Sequence, residues 1–600
     1  SPRRTRDGGF LFTCAFARTL AIGAGIREYP SGRGTIRRTI SMEMVMSSMK
    51  TPLQAFAETV QRRGKAVAMI QPLGGGRLRE YNWLDVQDEA LRMAAYLRGL
   101  NLPQGTNVAL MSKNCAEWII ADLAIWMAGH VSVPLYPTLT STSVRQIMEH
   151  SGAPVMFVGK LDVWEEARAG VPESVQCVAF SLAPEDARQR FPRWEDLVSR
   201  HQPLTDPADP DENSLATIIY TSGTTGTPKG VMHSFRNFAV VGTKLVNVYN
   251  LVSSDRMISY LPLSHIAERA AVELALIYVG HEVFFAESLE TFGEDIKRAS
   301  PTLFFAVPRI WTKFYQKVND AMPPAKLRRL LRIPILNRII RKKILAAMGL
   351  DECRIALSGA AALSPEVIEW FNKLGLEILE VYGMTENMAW SHTTRSGDQK
   401  VGWVGTPNEG VECRIAEGGE IQVRSPGNMQ GYYKDEAQTR DAFAEGGWLK
   451  TGDVGEIDPN GRLRITGRVK EIFKSEKGKY IAPAPIENRL VSFPGIEQAC
   501  VMGPGLPQPI ALLNLSAEER VKLEQVGREH FGKELAGLLS RVNEELDAHE
   551  RLQCLVVVSE AWAVENGMLT PTLKLKRNEL EKCYADRVPG WSRSRGVVWG

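Results

Sequence analysis

The sequence predicts an α/β protein: a large N-terminal domain of helix-covered mixed or parallel sheets carrying a small β subdomain, then a small α+β C-terminal domain. Three observations predict it. From about residue 78 to 420, short β-rich runs alternate with amphipathic helical patterns, as in sheets covered by helices. Between 411 and 466 the pattern changes to short strands with Gly-rich turns such as Gly418-Gly419 and Asn460-Gly461. After about residue 467 a smaller region follows, with a helix opened by a capping-box pattern, Ser516 and Glu519. The expected boundaries are an extension over 1–41, an N-terminal domain over 42–467 and a C-terminal domain over 468–600.

The elements follow in chain order. Residues 1–41 hold eight Arg and no Lys against Asp7 and Glu28, a local charge of +6. That composition suits a transit peptide. The preferred reading is an extension of no structural consequence, for example an upstream in-frame translation, with Met42, Met44, Met46 and Met49 where a natural start could lie. Thr51 to Arg63 reads as an amphipathic helix. The runs Asn107–Met111, Ala153–Val158, Leu215–Tyr220 and Leu303–Val307 read as buried strands. Trp118 to Leu135 is apolar but broken by Asp122 and His130, so it reads as a buried helix running into a strand, not a membrane span. The Pro/Asp-rich stretch 203–213 reads as a surface loop. In the last region Leu535, Leu539, Val542 and Leu546 continue one apolar face of the helix begun at Ser516.

Composition excludes several function classes. The chain has 600 residues, 72 Lys+Arg against 69 Asp+Glu, and 44% hydrophobic residues. This is an ordinary globular chain, and its near-balanced charge argues against a nucleic-acid binder. Beyond residue 41 the charge is −3. Eight scattered cysteines form no CxxC pair, which fits reduced thiols, no zinc site and a cytoplasmic setting.

The strongest local signal is YTSGTTGTPKG, Tyr220 to Gly230. It follows a β-rich run and precedes a helical pattern from Ser234. Glycines let the backbone bend tightly, hydroxyls and N–H groups offer donors to phosphate oxygens, and Lys229 adds a point charge. The spacing differs from a Walker A loop: Pro228 replaces the second Gly and Gly230 replaces Ser/Thr.

This loop resembles the signature of the adenylate-forming superfamily, which includes acyl-CoA synthetases, peptide-synthetase adenylation domains and luciferases. The resemblance covers about residues 50–590. Further motifs come in the family's order: LPLSHIAER (261–269), LSGAAAL (357–363), VYGMTE (381–386), GEIQVRSPGNMQGYYK (419–434), WLKTGD (448–453), GRVKEIFKSEKGKYIAPAPIE (467–487) and LTPTLKLKR (569–577). LPLSHIAER, residues 134–153 and LTPTLKLKR look most like long-chain fatty acyl-CoA synthetases. Ser425 and Glu409 depart from the usual Gly and Pro.

The resemblance implies ligation of a long-chain fatty acid to coenzyme A, with ATP split to AMP and pyrophosphate through an acyl-adenylate. It implies that Thr221, Ser222, Gly223, Thr224, Thr225, Gly226 and Lys229 hold the β- and γ-phosphates. Thr385 would contact the α-phosphate, and Glu386 with Thr225 would ligate Mg²⁺. Tyr382 and Gly383 would cover the adenine beside Ser358, Gly359 and Ala360. Asp453 and Arg468 would bind the ribose. Lys574, chosen over Lys576 and Arg577 by its Lys-x-x-Arg spacing, would stabilise the adenylation transition state. His265 would line the acyl pocket and Gly478 the coenzyme A channel. Lys470 would be the hinge of a mobile C-terminal domain. No protein nucleophile is required.

Residues 326–343, KLRRLLRIPILNRIIRKK, carry eight basic and no acidic side chains among Leu and Ile. The pattern suits a membrane-surface or coenzyme A phosphate contact, or simply an amphipathic helix whose polar face is basic; Pro334 would interrupt a single helix, and peripheral contact with a membrane is the favoured reading. The reading also leaves room for a homodimer. Rival readings are adenylation of a shorter or aromatic acid, another acyl acceptor, or a non-catalytic nucleotide or lipid binder. The retained Lys229, Glu386, Asp453, Arg468 and Lys574 argue against the last.

Overall fold

Buried β-branched and aromatic runs set the sheets, and capped amphipathic helices cover them. The computed structural model describes residues 49–600, apart from residues 163, 222–227, 565 and 571–573. The expected extension over 1–41 lies outside the described residues. The largest sheet has seven strands. Their order is Gly431–Tyr432, Lys229–Ser234, Leu215–Thr221, Val131–Leu135, Asn107–Met111, Val155–Val158 and Gln176–Ala179. The last five run parallel, while Lys229–Ser234 and Gly431–Tyr432 join antiparallel. A second sheet carries Val67–Pro72, Glu282–Phe285 and Arg256–Ser259 in parallel, edged by Leu78–Asn82. A third holds Leu303–Ala306, Ile355–Ser358 and Ile378–Tyr382 in parallel.

Local signals explain the helices between them. Thr51 caps Pro52–Arg63, and Ser234 caps Phe235–Tyr249; each cap side chain accepts from the N–H three residues on. The helix Ala116–Met127 is buried on every face, so its sequence reads apolar throughout. The expected helix running on into a strand is observed, with Val131–Leu135 following.

An antiparallel sheet of Glu412–Ile415, Glu420–Arg424, Phe443–Ala444, Trp448–Ile457 and Leu463–Arg468 forms the β subdomain. The C-terminal domain packs Pro483–Val491 and Arg528–Glu544 on a four-stranded mixed sheet of residues 496–599. The helical pattern expected from Ser234 is observed as Phe235–Tyr249, and before it the strand Lys229–Ser234 pairs back on Leu215–Thr221. Two expectations in the C-terminal region are corrected. The single helix expected from Ser516 is two, Ala517–Val526 and Arg528–Glu544, broken at Gly527 with φ +85°. That conformation suits glycine and ends the first helix. Leu546 lies beyond the second helix, although it is buried. No described helix is long and apolar enough to cross a membrane.

A fully buried charge network ties this scaffold together. Arg269 donates through Nε to Glu273 at 2.8 Å, through Nη1 to Thr217 Oγ1 at 2.8 Å, and through Nη2 to Asp122. Trp118, Trp126 and Phe238 surround the guanidinium at 5.0–5.6 Å. The bonds join the buried helix, the strand leading to the phosphate loop, and a π-helix, Arg269–Leu274. Asp122, which looked like a helix-breaking blemish, is the partner that lets a charge be buried here. Removing one member leaves the others unpaired in a dry interior, so Arg269→Ala should cost about 3–5 kcal/mol. Urea unfolding followed by tryptophan fluorescence measures this; a loss below about 1 kcal/mol would show that the carboxylates are satisfied elsewhere.

Candidate active site

The strand hairpin places Thr221 and Lys229 as register partners at the mouth of the phosphate loop. Ser222, Gly223, Thr224, Thr225 and Gly226 lie outside the described residues. Lys229 Nζ stands 5.2 Å over the ring of Tyr432. The Tyr432 hydroxyl donates to Glu386 Oε1 at 3.0 Å. Tyr432 lies in the 419–434 motif, but the sequence alone marked no role for it.

Glu386 sits in the short 3₁₀ turn Thr385–Asn387, whose carbonyls are held from two sides. Met429 N–H donates to Glu386 O at 2.8 Å, and His233 Nε2 donates to Thr385 O at 2.7 Å. Burial pushes the His233 imidazole down to about 4, so the ring is neutral and its Nε2 hydrogen serves this bond. Gly383 is required by packing: a Cβ there would lie 2.5 Å from the Ala389 carbonyl carbon. Met388 and Ala389 then adopt left-handed conformations, φ +59° and +54°. Such strain persists only where surrounding structure imposes it.

Tyr382 ends the strand Ile378–Tyr382, and its hydroxyl donates to Asp453 Oδ2 at 2.7 Å. The other carboxylate oxygen accepts from Arg468 Nε at 2.8 Å. Asp453 and Arg468 face each other in register across two antiparallel strands of the β subdomain. Burial, then the Asp453 charge, drives the Tyr382 phenol well above its ordinary pKa, so it stays a donor. The parallel strand Ile355–Ser358 ends beside this group. Ser358 Oγ is buried with no hydrogen-bond partner among the described residues. A Cβ on Gly359 would come within 2.7 Å of Val381, and Ala360 is left-handed at φ +69°. This edge therefore offers a spare hydroxyl and exposed backbone beside Tyr382.

His265 enters from the LPLSHIAER turn. Its Nδ1 accepts from Ala267 N–H at 3.2 Å, and its ring meets Tyr136 edge-on at 6.4 Å. Burial, then the Lys574 charge, pushes it down to about 3. The ring is therefore neutral, with its hydrogen on Nε2. The π-helix that begins four residues later is the kind of irregularity found at functional sites.

Lys574 arrives from the C-terminal domain. Solvent reaches it, but most of the volume around it is protein, and this burial lowers its pKa. Arg468 pushes the same way, while Asp453, Glu386 and Glu471 pull against it. The competition with Lys576 and Arg577 is resolved by position. Arg577 is engaged within its own domain, donating to Glu487 at 2.6 Å and Val501 O at 2.7 Å. Lys576 begins the helix Arg577–Tyr584. Lys574 is clipped at its backbone: Thr570 N–H donates to Lys574 O at 2.8 Å, and Lys574 N–H to Thr570 Oγ1 at 3.0 Å.

Gly478 stays outside this group. It turns a small hairpin with φ +71°, and a Cβ there would meet nothing within 4 Å. Lys470 is exposed in the turn after the strand Leu463–Arg468. Glu409, one of the departures, pairs with Lys244 at 2.7 Å. Among the described residues, no group of three His, Cys, Asp or Glu is placed to hold a metal ion.

With this geometry in hand, comparison places the chain. Residues 56–433 match the family model described as AMP-binding enzyme, and residues 471–591 match the AMP-binding enzyme C-terminal domain. The chain belongs to the AMP-binding enzyme family. It is 32% identical to peroxisomal long chain acyl-CoA synthetase 6 of Arabidopsis thaliana, covering 87% of this chain and 83% of that one. It is 31% identical to long-chain-fatty-acid–CoA ligase 5 of Mus musculus, covering 88% and 87%. The adenylation domain of a carboxylate reductase from Mycobacterium chelonae shares the fold, with TM-score 0.79 at 22% identity over 93% of this chain and 96% of that one.

For an AMP-binding enzyme, the Tyr382–Asp453–Arg468 cluster makes a sharp prediction. Tyr382→Phe removes a hydrogen bond to a charged group, worth about 1.5–3 kcal/mol. AMP affinity by calorimetry should fall about tenfold or more. Unchanged affinity would disconnect Asp453 from the nucleotide.

Proposed function

We propose that this chain is an ATP-dependent long-chain fatty acid–CoA ligase working through an acyl-adenylate. What supports the reading is Lys574 of the C-terminal domain, whose charge acts on His265 and is itself acted on by Asp453 and Glu386. A nucleotide binder without chemistry needs no such lysine. The long-chain assignment draws support from relatives that bear that name at 30–32% identity over most of the chain.

In the first half-reaction a fatty carboxylate oxygen attacks the α-phosphorus of ATP. The bond to the bridging oxygen breaks, and pyrophosphate leaves with both electrons. Two anions must meet, so catalysis is charge neutralisation and positioning. Asp453 and Arg468 hold the ribose, and Tyr382 with the 358–360 edge holds the adenine. Lys229 and residues 221–226 hold the β- and γ-phosphates. Lys574 supplies positive charge where the attacking and α-phosphate oxygens crowd together. His265 is neutral, so it lines the acyl pocket without adding charge of its own.

Magnesium suits this site. It commonly takes one or two carboxylates and completes its shell with phosphate oxygens and water. Glu386 offers one carboxylate, fixed by Tyr432, and Thr225 is the proposed second ligand. When bound, the ion would draw charge off the departing pyrophosphate.

In the second half-reaction the coenzyme A thiol, losing its proton, attacks the acyl carbon. The carbon–sulfur bond forms, the carbon–oxygen bond breaks, and AMP departs. The C-terminal domain, proposed to begin at 468, turns about Lys470, withdrawing Lys574 and bringing Gly478 to the thiol. The proposed setting is cytoplasmic, at a membrane surface.

Acid-dependent ATP–pyrophosphate exchange over a panel of acids tests substrate class. Activity confined to C2–C4 or aromatic acids would refute the long-chain assignment, and AMP release indifferent to coenzyme A would refute ligation. Lys574→Ala should lower adenylation by about 10²–10³-fold while supplied acyl-AMP still becomes thioester; equal loss of both contradicts the role. The pH profile provides a second check. Because the Lys574 pKa is lowered, its ammonium is lost at lower pH than that of a free lysine. Adenylation should therefore decline on the alkaline side before pH 10.5, and Lys574→Arg should move that decline upward. A limb that ignores the substitution belongs to another group.

A further inference from the structure

The basic stretch 326–343 folds as a helical hairpin, Pro324–Leu331 and Pro334–Ala347. Pro334 does interrupt a single helix, but it does so by starting the second one at its first position. Leu327 and Ile344 point inward, 3% and 8% exposed, and join the core beneath. The basic side chains face the other way. Lys326, Arg328, Arg329, Arg332, Arg338, Lys342 and Lys343 are exposed, and Arg341 is half-buried. None of the eight forms an ion pair with a carboxylate among the described residues.

Other exposed arginines in the chain do meet acids, as in Arg424–Glu412 at 2.6 Å and Arg193–Asp196 at 2.9 Å. Here eight basic groups are concentrated in one hairpin whose sequence 326–343 holds no acid. Two large apolar residues stand among the unpaired cations: Ile333 at the apex, 51% exposed, and Ile339 on the outer face, 49% exposed. On an α-helix Arg338, Ile339, Lys342 and Lys343 share one side. A shallow groove of about 470 Å³ between these turns is lined by Asn337, Arg338, Arg341 and Lys342. Asp351 also lines it, so three basic groups face one acidic.

We infer that this hairpin docks the enzyme on an anionic phospholipid surface. The cations meet lipid phosphates, the groove takes a phosphate headgroup, and Ile333 and Ile339 enter the headgroup boundary. Amphipathic helices lie on bilayers through this combination of basic face and inserted apolar side chains. A soluble polyphosphate would use the cations but leaves the exposed isoleucines unexplained. The inference deepens the proposed function and rests on it for its purpose, since a long-chain acid is met chiefly in a bilayer.

The test is sedimentation with phosphatidylcholine vesicles, with and without phosphatidylglycerol, at low and high salt. Wild type should pellet with the anionic vesicles, and high salt should release it as the charges are screened. Each basic group near an anionic surface raises partitioning by about fivefold. Reversing Arg328, Arg329, Arg338 and Lys342 to Glu should therefore weaken binding by roughly 600-fold or more. Ile333→Ser with Ile339→Ser should weaken it while leaving the charge intact, which a purely electrostatic contact would not show. Ligation of a water-soluble medium-chain acid should survive both sets and reports that the variants are folded.

Equal recovery of wild type and the charge-reversed variant overturns the inference. So does equal binding to neutral vesicles, or retention by heparin with no vesicle binding. Anionic-vesicle recovery without thioester formation from any acid would refute the proposed ligase function and leave the hairpin assignment standing.

Discussion

The geometry of the site depends on keeping Lys574 and Arg468 close together. Two cations near each other repel, and Arg468 does lower the Lys574 pKa. The arrangement holds because Asp453 sits between three distant parts of the chain. It accepts from Tyr382 on the third sheet and from Arg468 across the β subdomain, and it attracts Lys574 from the C-terminal domain. Glu386 and Glu471 add negative charge from other directions. A buried carboxylate with two donors on its oxygens is thus both a structural pin and an electrostatic counterweight.

That pin works only because its surroundings are rigid. Thr385 is fixed by a neutral histidine, Glu386 by a tyrosine, and the following backbone by a strained turn. On the other side, the Arg269 network anchors the segment that presents His265. The two halves are built differently. One uses polar contacts among side chains of the third sheet and the β subdomain. The other buries its charges beside indole rings, where nothing exchangeable reaches them.

Much of this was legible in the sequence, for physical reasons that differ by residue. Thr51 and Ser234 announce helix starts because a cap is a local interaction. The strand at 107–111 is legible because burial on both faces leaves a continuous apolar run. Tyr382, Asp453, Arg468 and Lys574 came from resemblance, and the structure brings all four together. What escaped was non-local. The strand at 229–234 exists by pairing with 215–221, which no local pattern reveals. The break at Gly527 needed a backbone angle. Tyr432, His233 and the Thr217 and Asp122 partners of Arg269 act across separations of dozens of residues or more, so no spacing in the sequence marks them. Spacing alone favoured Lys574 over Arg577, and the Glu487 contact that engages the arginine within its own domain lies 90 residues away in sequence.

The clip around Lys574 has a kinetic meaning. Lys574 is tied at its backbone to Thr570 and is followed by Arg577, which pairs with Glu487 in the same domain. On the proposed rotation about Lys470, the charge leaves the nucleotide as one piece with some hundred residues behind it. A pendant lysine could drift between both reactions and serve each poorly. On that proposal, a molecule poised for adenylation is disengaged from thioester formation, and the order of events follows from mechanical coupling rather than from affinity.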